Sequence, residues 1–426
     1  MTLLIFLGAL LGAMALGVPI AYALILSGVA LMYQLDLMDA QIVAQNLING
    51  ADSFPLMAVP FFMLAGEIMN VGGLSRRIVN LALALVGHIK GGLGFVAILA
   101  ACILASLSGS AAADAAALSA LLVPMMIRAG HDRSRSAGLI AAGGIIAPVI
   151  PPSIGLILIG VAGNLSITKL FLYGIFPGIL MGLSLCVAWW LVSRRENILP
   201  PPRKTSQEVV RAFTDGIWAL LLPFIIILGL KFGIFTPTEA GVMAAVYALI
   251  VATFIYRELN LSQLYAVLIS AAMTTSMVMF LVAGALVSAW LITVADLPGQ
   301  MVELLEPVMG SPMLLMFTIL LLVVLIGMAM DQAPIILILI PVLLPVVRQA
   351  GIDPIYFGVI FVMITALGLI TPPVGTVLNV VAGVSKINIV SIVRGLWPFL
   401  LAELLVVVLL VLFPSLVIVP GEWFAG

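Results

Sequence analysis

The chain has 426 residues and a formal net charge of −1; 64% of it is hydrophobic and only 8% is charged. A soluble domain carries about 25% charged residues, and the basic residues here are too scattered for a nucleic-acid surface. Apolar runs recur from Leu3 to Ile418 without the alternation a membrane barrel needs, so the composition predicts an all-α polytopic membrane protein.

Met1-Thr2-Leu3-Leu4 lacks a basic n-region and a clear cleavage site, so the first apolar run is expected to be a span. Residues 2–16 and 18–34 give two short spans, or one tilted helix, around Gly17-Val18-Pro19. Residues 54–72 give another span. Residues 91–128 read as a re-entrant hairpin, 137–163 as a broken span, and 168–193 as the last span of a first half. The most polar stretch follows, from Arg194 to Asp215. It holds Arg194, Arg195, Arg203, Lys204 and Arg211 around Pro200-Pro201-Pro202. The positive-inside rule places this linker in the cytoplasm. It divides the chain into a first repeat over 1–195, a linker over 196–212 and a second repeat over 213–426. The second half reads as spans near 214–232, 238–257 and 263–291, a hairpin near 310–349, a broken span near 355–383 and a last span near 389–419. Each half then has about five crossings plus a hairpin, and both chain ends are expected in the periplasm.

The halves carry the same punctuation. Pro148-Val149-Ile150-Pro151-Pro152-Ser153-Ile154-Gly155 leads to Val161-Ala162-Gly163, and Thr371-Pro372-Pro373-Val374-Gly375 leads to Val381-Ala382-Gly383. Pro152, Gly155, Leu158, Val161, Ala162 and Gly163 each match the residue 220 positions later. Pro124, Gly138, Gly174 and Pro177 find partners in Pro345, Gly358, Gly395 and Pro398 in nearly the same register, which indicates internal duplication. The connections around the first hairpin carry His88, Lys90, Arg128, His131, Arg133 and Arg135. Those around the second carry Asp296, Glu303, Glu306 and Asp353, with Arg348 as the basic exception. That asymmetry points to inverted topology.

A doubled proline deep in a membrane helix leaves backbone groups unpaired, which is tolerated only beside protein or a water-filled cavity. Interrupted apolar segments at matching places in two halves point to a secondary transporter's binding site. The first hairpin tip, Ser106-Leu107-Ser108-Gly109-Ser110-Ala111-Ala112-Ala113-Asp114, offers hydroxyls, carbonyls and a helix N-terminus near Ala111; a plain small-residue helix contact is the alternative. The second, Gly327 to Pro334, lacks serines but supplies Asp331 and Gln332. Asp331 is costly in so apolar a context, and either functions or caps the helix starting at Pro334. The walls opposite are Gly143, Gly144, Ala147 and Pro148 to Ser153 in one half and Gly368 to Gly375 in the other. Neutral hard oxygens of this kind suit Na⁺. Candidates for contacting a substrate are Asp114, Ser153, Asp331, Pro372, Asn164 and Asn379, the asparagines having interhelical hydrogen bonding as the alternative. Glu67 lies in an apolar run and faces a partner subunit or a neighbouring helix, Glu403 lies in one without a readable partner, and Phe235-Thr236-Pro237-Thr238-Glu239 resembles a helix cap. Cys102 and Cys186 sit in apolar runs, His88 and His131 join no triad, and no phosphate-cradling motif is present, so no disulfide framework, organic cofactor, enzymatic site or direct ATP drive is expected.

Taken together, Pro60-Phe61-Phe62-Met63-Leu64-Ala65-Gly66-Glu67, Ser108-Gly109-Ser110, Pro151-Pro152-Ser153-Ile154-Gly155, Phe235-Thr236-Pro237-Thr238-Glu239-Ala240 and Thr371-Pro372-Pro373-Val374-Gly375 resemble the DctM-like large membrane subunit of TRAP (tripartite ATP-independent periplasmic) transporters. The resemblance implies an ion-transporter-superfamily, elevator-type fold in the bacterial inner membrane. It implies Na⁺-coupled uptake of organic acids such as C4-dicarboxylates or sugar acids. The partners implied are a small four-helix membrane subunit and a periplasmic substrate-binding protein. By motif, it puts one Na⁺ site on Ser106, Ser108, Gly109, Ser110, Gly144 and Pro148, and another on Gly327, Gly368 and Thr371. A stand-alone Na⁺/anion symporter of the same superfamily is the alternative; an ion channel is another.

Overall fold

The computed structural model describes residues 2–194, 196, 198 and 202–426, and the described residues form helices joined by turns, with no strand among them. Met1 and, in the linker, Arg195, Pro200 and Pro201 lie outside the described residues. Among the described residues, eight helices are long and apolar enough to cross a membrane.

Helices α1 (Thr2–Ala15) and α2 (Ile20–Gln34) are separate, and they pack on each other. Gly17, at φ +83°, ends the first, and Pro19 stands immediately before the second. Two short helices, and not one tilted helix, therefore occupy this stretch. Helix α3 (Ala40–Ala51) was not expected from the sequence. Asp39 caps it, accepting from the Gln41 amide at 2.7 Å. A 3₁₀ turn over Phe54–Met57 leads into α4 (Ala58–Val71). Helix α5 (Leu74–Val86) buries Leu74, Ile78, Leu81 and Ala82 at helical spacing, while Arg76 stays exposed, which makes it amphipathic.

The next elements are α6 (Gly92–Ser108), α7 (Ala111–Arg128), α8 (Arg133–Gly144), α9 (Ile154–Ala162) and α10 (Ile167–Ser193). Beyond the linker come α11 (Ser206–Lys231), α12 (Pro237–Ile250, continued by a π turn to Ile255), α13 (Leu261–Val294) and the short α14 (Leu297–Met309). The chain closes with α15 (Pro312–Gly327), α16 (Gln332–Gln349), α17 (Pro354–Gly368), α18 (Thr376–Ser385), α19 (Ile389–Leu412) and α20 (Ser415–Ala425). Thr236 and Glu239 form a complete capping box at the start of α12: the Glu239 amide donates to Thr236 Oγ1, and the Thr236 amide donates to Glu239 Oε2 at 2.8 Å. The apolar run expected to span 389–419 is instead divided at Phe413-Pro414. Proline cannot continue the ladder there, and α20 turns back onto α10.

Lipid tails are as apolar as leucine, so helix association in a membrane rests on close packing and internal hydrogen bonds. Helices α8 and α19 show how small residues allow it. A Cβ on Gly395 would lie 2.2 Å from the Ser134 carbonyl carbon, and one on Gly138 would lie 2.7 Å from the Leu396 nitrogen. The two backbones cross in contact. Trp189 of α10 is fully buried nearby, and its indole nitrogen donates to the Gly91 carbonyl at 2.7 Å. Helices α2 and α4 pack against α13 and α12, forming one layer. Helices α6 to α9 pack with α15 to α19, forming another, and α13 touches α16 between the two.

Candidate functional site

Helix α8 ends at Gly144 and α9 begins only at Ile154; between them Pro151 and Pro152, joined by a cis bond, supply no amide donors. Ser153 restarts the helix: its hydroxyl donates to the Pro148 carbonyl and accepts from the Leu156 amide at 3.2 Å. Helix α17 likewise stops at Gly368, the cis pair Pro372-Pro373 follows, and α18 starts at Thr376.

The turn between α6 and α7 presses on the first break. Gly109 sits at φ +61°, and a Cβ there would fall 2.6 Å from the Pro152 carbonyl oxygen. A Cβ on Gly144 would meet Ala115 Cβ at 2.8 Å and the Ala111 carbonyl at 3.1 Å. The hydroxyls are organised inward. Ser106 Oγ donates to the Ile103 carbonyl at 2.6 Å, and Ser108 Oγ donates to Asp114 Oδ1 at 2.5 Å. Ser108 Oγ in turn accepts from the Ser110 amide at 3.2 Å. Asp114 is buried, and its Oδ2 has no hydrogen-bond partner among the described residues.

The turn between α15 and α16 meets the second break closely through its backbone. A Cβ on Gly368 would lie 2.7 Å from Gly327 Cα. Thr371 Oγ1 donates to the Leu367 carbonyl at 2.7 Å, and the Val374 amide donates to the Met328 carbonyl at 3.3 Å.

Both turns and both restarted helices border one cavity of about 280 Å³. Gly109 to Ala112, Ile154 and Gly155, Asp331 to Ala333, and Thr376 and Val377 line it. These are the N-terminal ends of α7, α9, α16 and α18. A helix N-terminus carries about half a positive charge and free amides, so four of them around one cavity favour an anion without any lysine or arginine, opposed in part by the Asp331 carboxylate in the same lining. Met63 of α4 and Thr274 and Val278 of α13 close the opposite wall, so the cavity lies between the two layers. Asp331 precedes α16 without making the side-chain cap bond its position allows; its Oδ1 accepts instead from Thr376 Oγ1 at 3.4 Å. Gln332 beside it donates to Thr365 Oγ1 of α17 at 2.9 Å.

The other substrate candidates fall elsewhere. Asp114 and Ser153 are buried behind the cavity wall, and Pro372 lies within the second break, outside the lining. Asn379 turns onto its own helix start, donating to the Val374 carbonyl at 3.0 Å. Asn164 lines a separate cavity with Arg348. Sequence reasoning missed Met63, Thr274 and Val278 as cavity walls, since methionine, threonine and valine in an apolar span carry no signal of their own. Glu67 accepts from Ser270 Oγ at 3.3 Å across α4 and α13. Glu403 is fully buried, with neither carboxyl oxygen bonded among the described residues.

A family model described as the tripartite ATP-independent periplasmic transporter, DctM component, matches residues 7–416. The 2,3-diketo-L-gulonate TRAP transporter large permease of Escherichia coli (strain K12) is 57% identical over 423 residues, covering 99% of this chain and 100% of that one. The sialic acid TRAP transporter large permease of Vibrio cholerae is 35% identical, covering 98% and 97%. The C4-dicarboxylate TRAP transporter large permease of Pseudomonas aeruginosa is also 35% identical, covering 89% of each chain. Among solved structures, the YdaH transporter of Alcanivorax borkumensis has a TM-score of 0.62 at 16% identity, covering 91% of this chain and 90% of that one, a likeness of fold.

Proposed function

The chain belongs to the DctM component of the tripartite ATP-independent periplasmic transporters, a family of multi-pass membrane permeases, and from that premise we propose that it is the large permease subunit of a Na⁺-coupled importer of organic acids. The substrate is a sugar acid of the diketogulonate kind, the chemistry named for the relative that is 57% identical. A periplasmic binding protein delivers it, a small four-helix membrane subunit completes the permease, and the assembly sits in the inner membrane. The observation that carries this reading is the cavity at which four helix N-termini meet. It attracts a carboxylate through dipoles and amides, so no fixed cation holds the anion too tightly to release.

The ion sites are the two contacts between turn and break. Ser106, Ser108, Gly109 and Ser110 with Gly144 and Pro148 would hold one Na⁺, and Gly327, Gly368 and Thr371 the other. The donor set fits a hard cation: hydroxyls, backbone carbonyls that each accept one hydrogen bond and keep a second lone pair, and at the first site the unpartnered Asp114 Oδ2 close behind Ser108. Na⁺ would supply positive charge beside the anion. The chain's own part is to keep those oxygens gathered, which Ser153 does by fastening Pro148 to the first turn of α9.

The two layers support an elevator-like alternating access. The layer of α6 to α9 with α15 to α19 carries the cavity, and the layer of α2, α4, α12 and α13 is the scaffold past which it moves. Inverted topology has support in where the two turns are rooted. At the base of the first, His131 Nδ1 lies 2.7 Å from Glu196, Arg135 pairs with Glu196 at 2.8 Å, and Lys90 donates to the Arg194 carbonyl at 3.0 Å. At the base of the second, Arg348 donates to the Gly163 carbonyl at 3.4 Å. Residues 163 and 194 lie beyond opposite ends of α10, whose 27 residues span about 40 Å. The turns therefore enter from opposite faces. The basic face, with the linker, is cytoplasmic, and the chain ends are periplasmic.

The test is uptake of 2,3-diketo-L-gulonate into liposomes holding the permease and its small subunit, with the binding protein outside and Na⁺ or choline as the cation. Uptake that needs both the binding protein and a Na⁺ gradient is expected. Equal uptake in choline removes the Na⁺ coupling, and uptake without the binding protein favours a stand-alone symporter.

A further inference from the structure

A second cavity, of about 460 Å³, lies along the same seam as the first. Three helices run past both. Helix α9 lines the first with Leu158 and the second with Ala162 to Asn164; α13 contributes Val278 and then Leu286 to Thr293; α16 contributes Ala333 and then Ile340 to Arg348. The steps from Leu158 to Ala162, Ala333 to Ile340 and Val278 to Leu286 amount to about 6–12 Å along the helix axes. The fourth wall of the second cavity is α3, with Asn46 and Asn49.

The lining differs from the first in kind. Among the described residues lining it, Arg348 is the one charged group, joined by Asn46, Asn49, Asn164, Thr293 and Trp290. A guanidinium matches one carboxylate through paired hydrogen bonds. Three amides offer donors and acceptors for alcohols and ketones, and Thr293 Oγ1, which gives its proton to the Ala289 carbonyl, offers an acceptor. Trp290, 36% exposed, presents an apolar indole surface against which the carbon-bound face of a sugar chain can rest. A C4-dicarboxylate would leave one of its two charges without a cation here.

We propose that this cavity, on the face opposite the linker, is an outer vestibule site that receives a polyhydroxylated monocarboxylate before it reaches the cavity between the helix N-termini. Arg348 takes the carboxylate, the asparagines take the hydroxyls, and Trp290 provides the stacking surface. This site rests on the permease reading for its substrate class. It differs from the central cavity in holding its ligand by a fixed charge and without help from either ion site.

The experiment reads tryptophan fluorescence of the permease, purified with its small subunit, as 2,3-diketo-L-gulonate is added in Na⁺-free buffer, with succinate as the comparison. Saturable quenching by the sugar acid and at least tenfold weaker quenching by succinate are expected. Trp290→Phe should remove the signal, and Arg348→Gln should raise the half-saturating concentration at least tenfold. Arg348→Lys should fall between, since it keeps the charge and loses the paired geometry. In proteoliposomes, Arg348→Gln should raise the half-saturating substrate concentration while leaving the Na⁺ dependence at the wild-type value. Quenching that needs Na⁺, survives Trp290→Phe or is equal in Arg348→Gln overturns the vestibule. Quenching as expected without any uptake in a Na⁺ gradient would leave the vestibule standing and refute the Na⁺-coupled permease.

Discussion

Gly368→Ala tests the second ion site at its narrowest point. The added methyl would lie 2.7 Å from Gly327 Cα, 2.9 Å from its carbonyl carbon and 3.0 Å from its carbonyl oxygen. Carbon atoms in contact rest about 3.5–4.0 Å apart, so turn and break must separate by about 1 Å. The atoms in the way are backbone, with no side chain to swing aside. Overpacking of this kind costs about 1–3 kcal/mol. If that cost falls on the gathered carbonyls, Na⁺ affinity drops by about 5- to 150-fold. The reciprocal Gly327→Ala is milder, because its methyl would lie 3.1 Å from Gly368 Cα. Gly383→Ala is the control, since nothing lies within 4 Å of its added methyl. Removing a helix glycine there should stabilise by up to about 1 kcal/mol. The assay is the Na⁺ concentration giving half-maximal uptake, checked against the rise in melting temperature on adding Na⁺. The expected order of Na⁺ requirement is Gly368→Ala above Gly327→Ala above Gly383→Ala. A Gly368→Ala transporter that titrates like Gly383→Ala would falsify the assignment of this contact as an ion site.

Ser110→Ala and Thr371→Ala each remove one hydroxyl from a proposed ion site, and both should raise the half-maximal Na⁺ concentration for uptake; wild-type Na⁺ affinity in both would remove the two sites. Thr236→Ala deletes the cap of α12 and should cost about 1 kcal/mol, read as a lower melting temperature. An unchanged melting temperature means the capping box contributes nothing. Glu403 is buried without a partner among the described residues, so Glu403→Leu should melt at or above Glu403→Gln, which keeps an unpaired polar group. The reverse order would show that the carboxyl has a partner that leucine cannot replace.

What could be read from the sequence follows from which residues constrain the backbone. Pro151, Pro152, Pro372 and Pro373 advertise the interruptions because a missing amide cannot be hidden, and the glycines of the turns advertise close approach. Asp331 stood out because charge is rare in an apolar run. Its capping role, equally legible, is not taken up: the carboxylate accepts from Thr376 Oγ1 beside it in the cavity wall instead. The asparagines show the limit. Asn164 and Asn379 look equivalent as letters, yet one lines the vestibule and the other bonds to the Val374 carbonyl. Helices α3 and α14, of 12 and 13 residues, were missed because they are too short to span, and in α14 Pro298 and Pro307 read as loop residues. The scaffold wall at Met63, Thr274 and Val278 was invisible, because a residue that matters only for shape looks like any other in a membrane helix.

The two proposed ion sites share a wall with the cavity, and that would be the physical basis for the proposed coupling between them. From the first site, Ser153 ties the Pro148 carbonyl to the opening turn of α9. The next residue but one, Gly155, abuts Gln332 of the other turn: a Cβ there would lie 3.2 Å from Gln332 Nε2. Gln332 reaches across to Thr365 of α17, one helical turn before Gly368 at the second site. Every member of this chain is a restarted helix end or a direct contact with one, and two of them, Gly155 and Gln332, line the cavity. A shift at either site therefore moves amides that face the anion. The links are the Ser153 hydroxyl fastened to backbone on both sides, Gly155 packed on the Gln332 side-chain amide, and that amide held in turn by Thr365. On the proposed assignment, ion binding and anion binding would depend on one geometry, and neither could be optimised without the other.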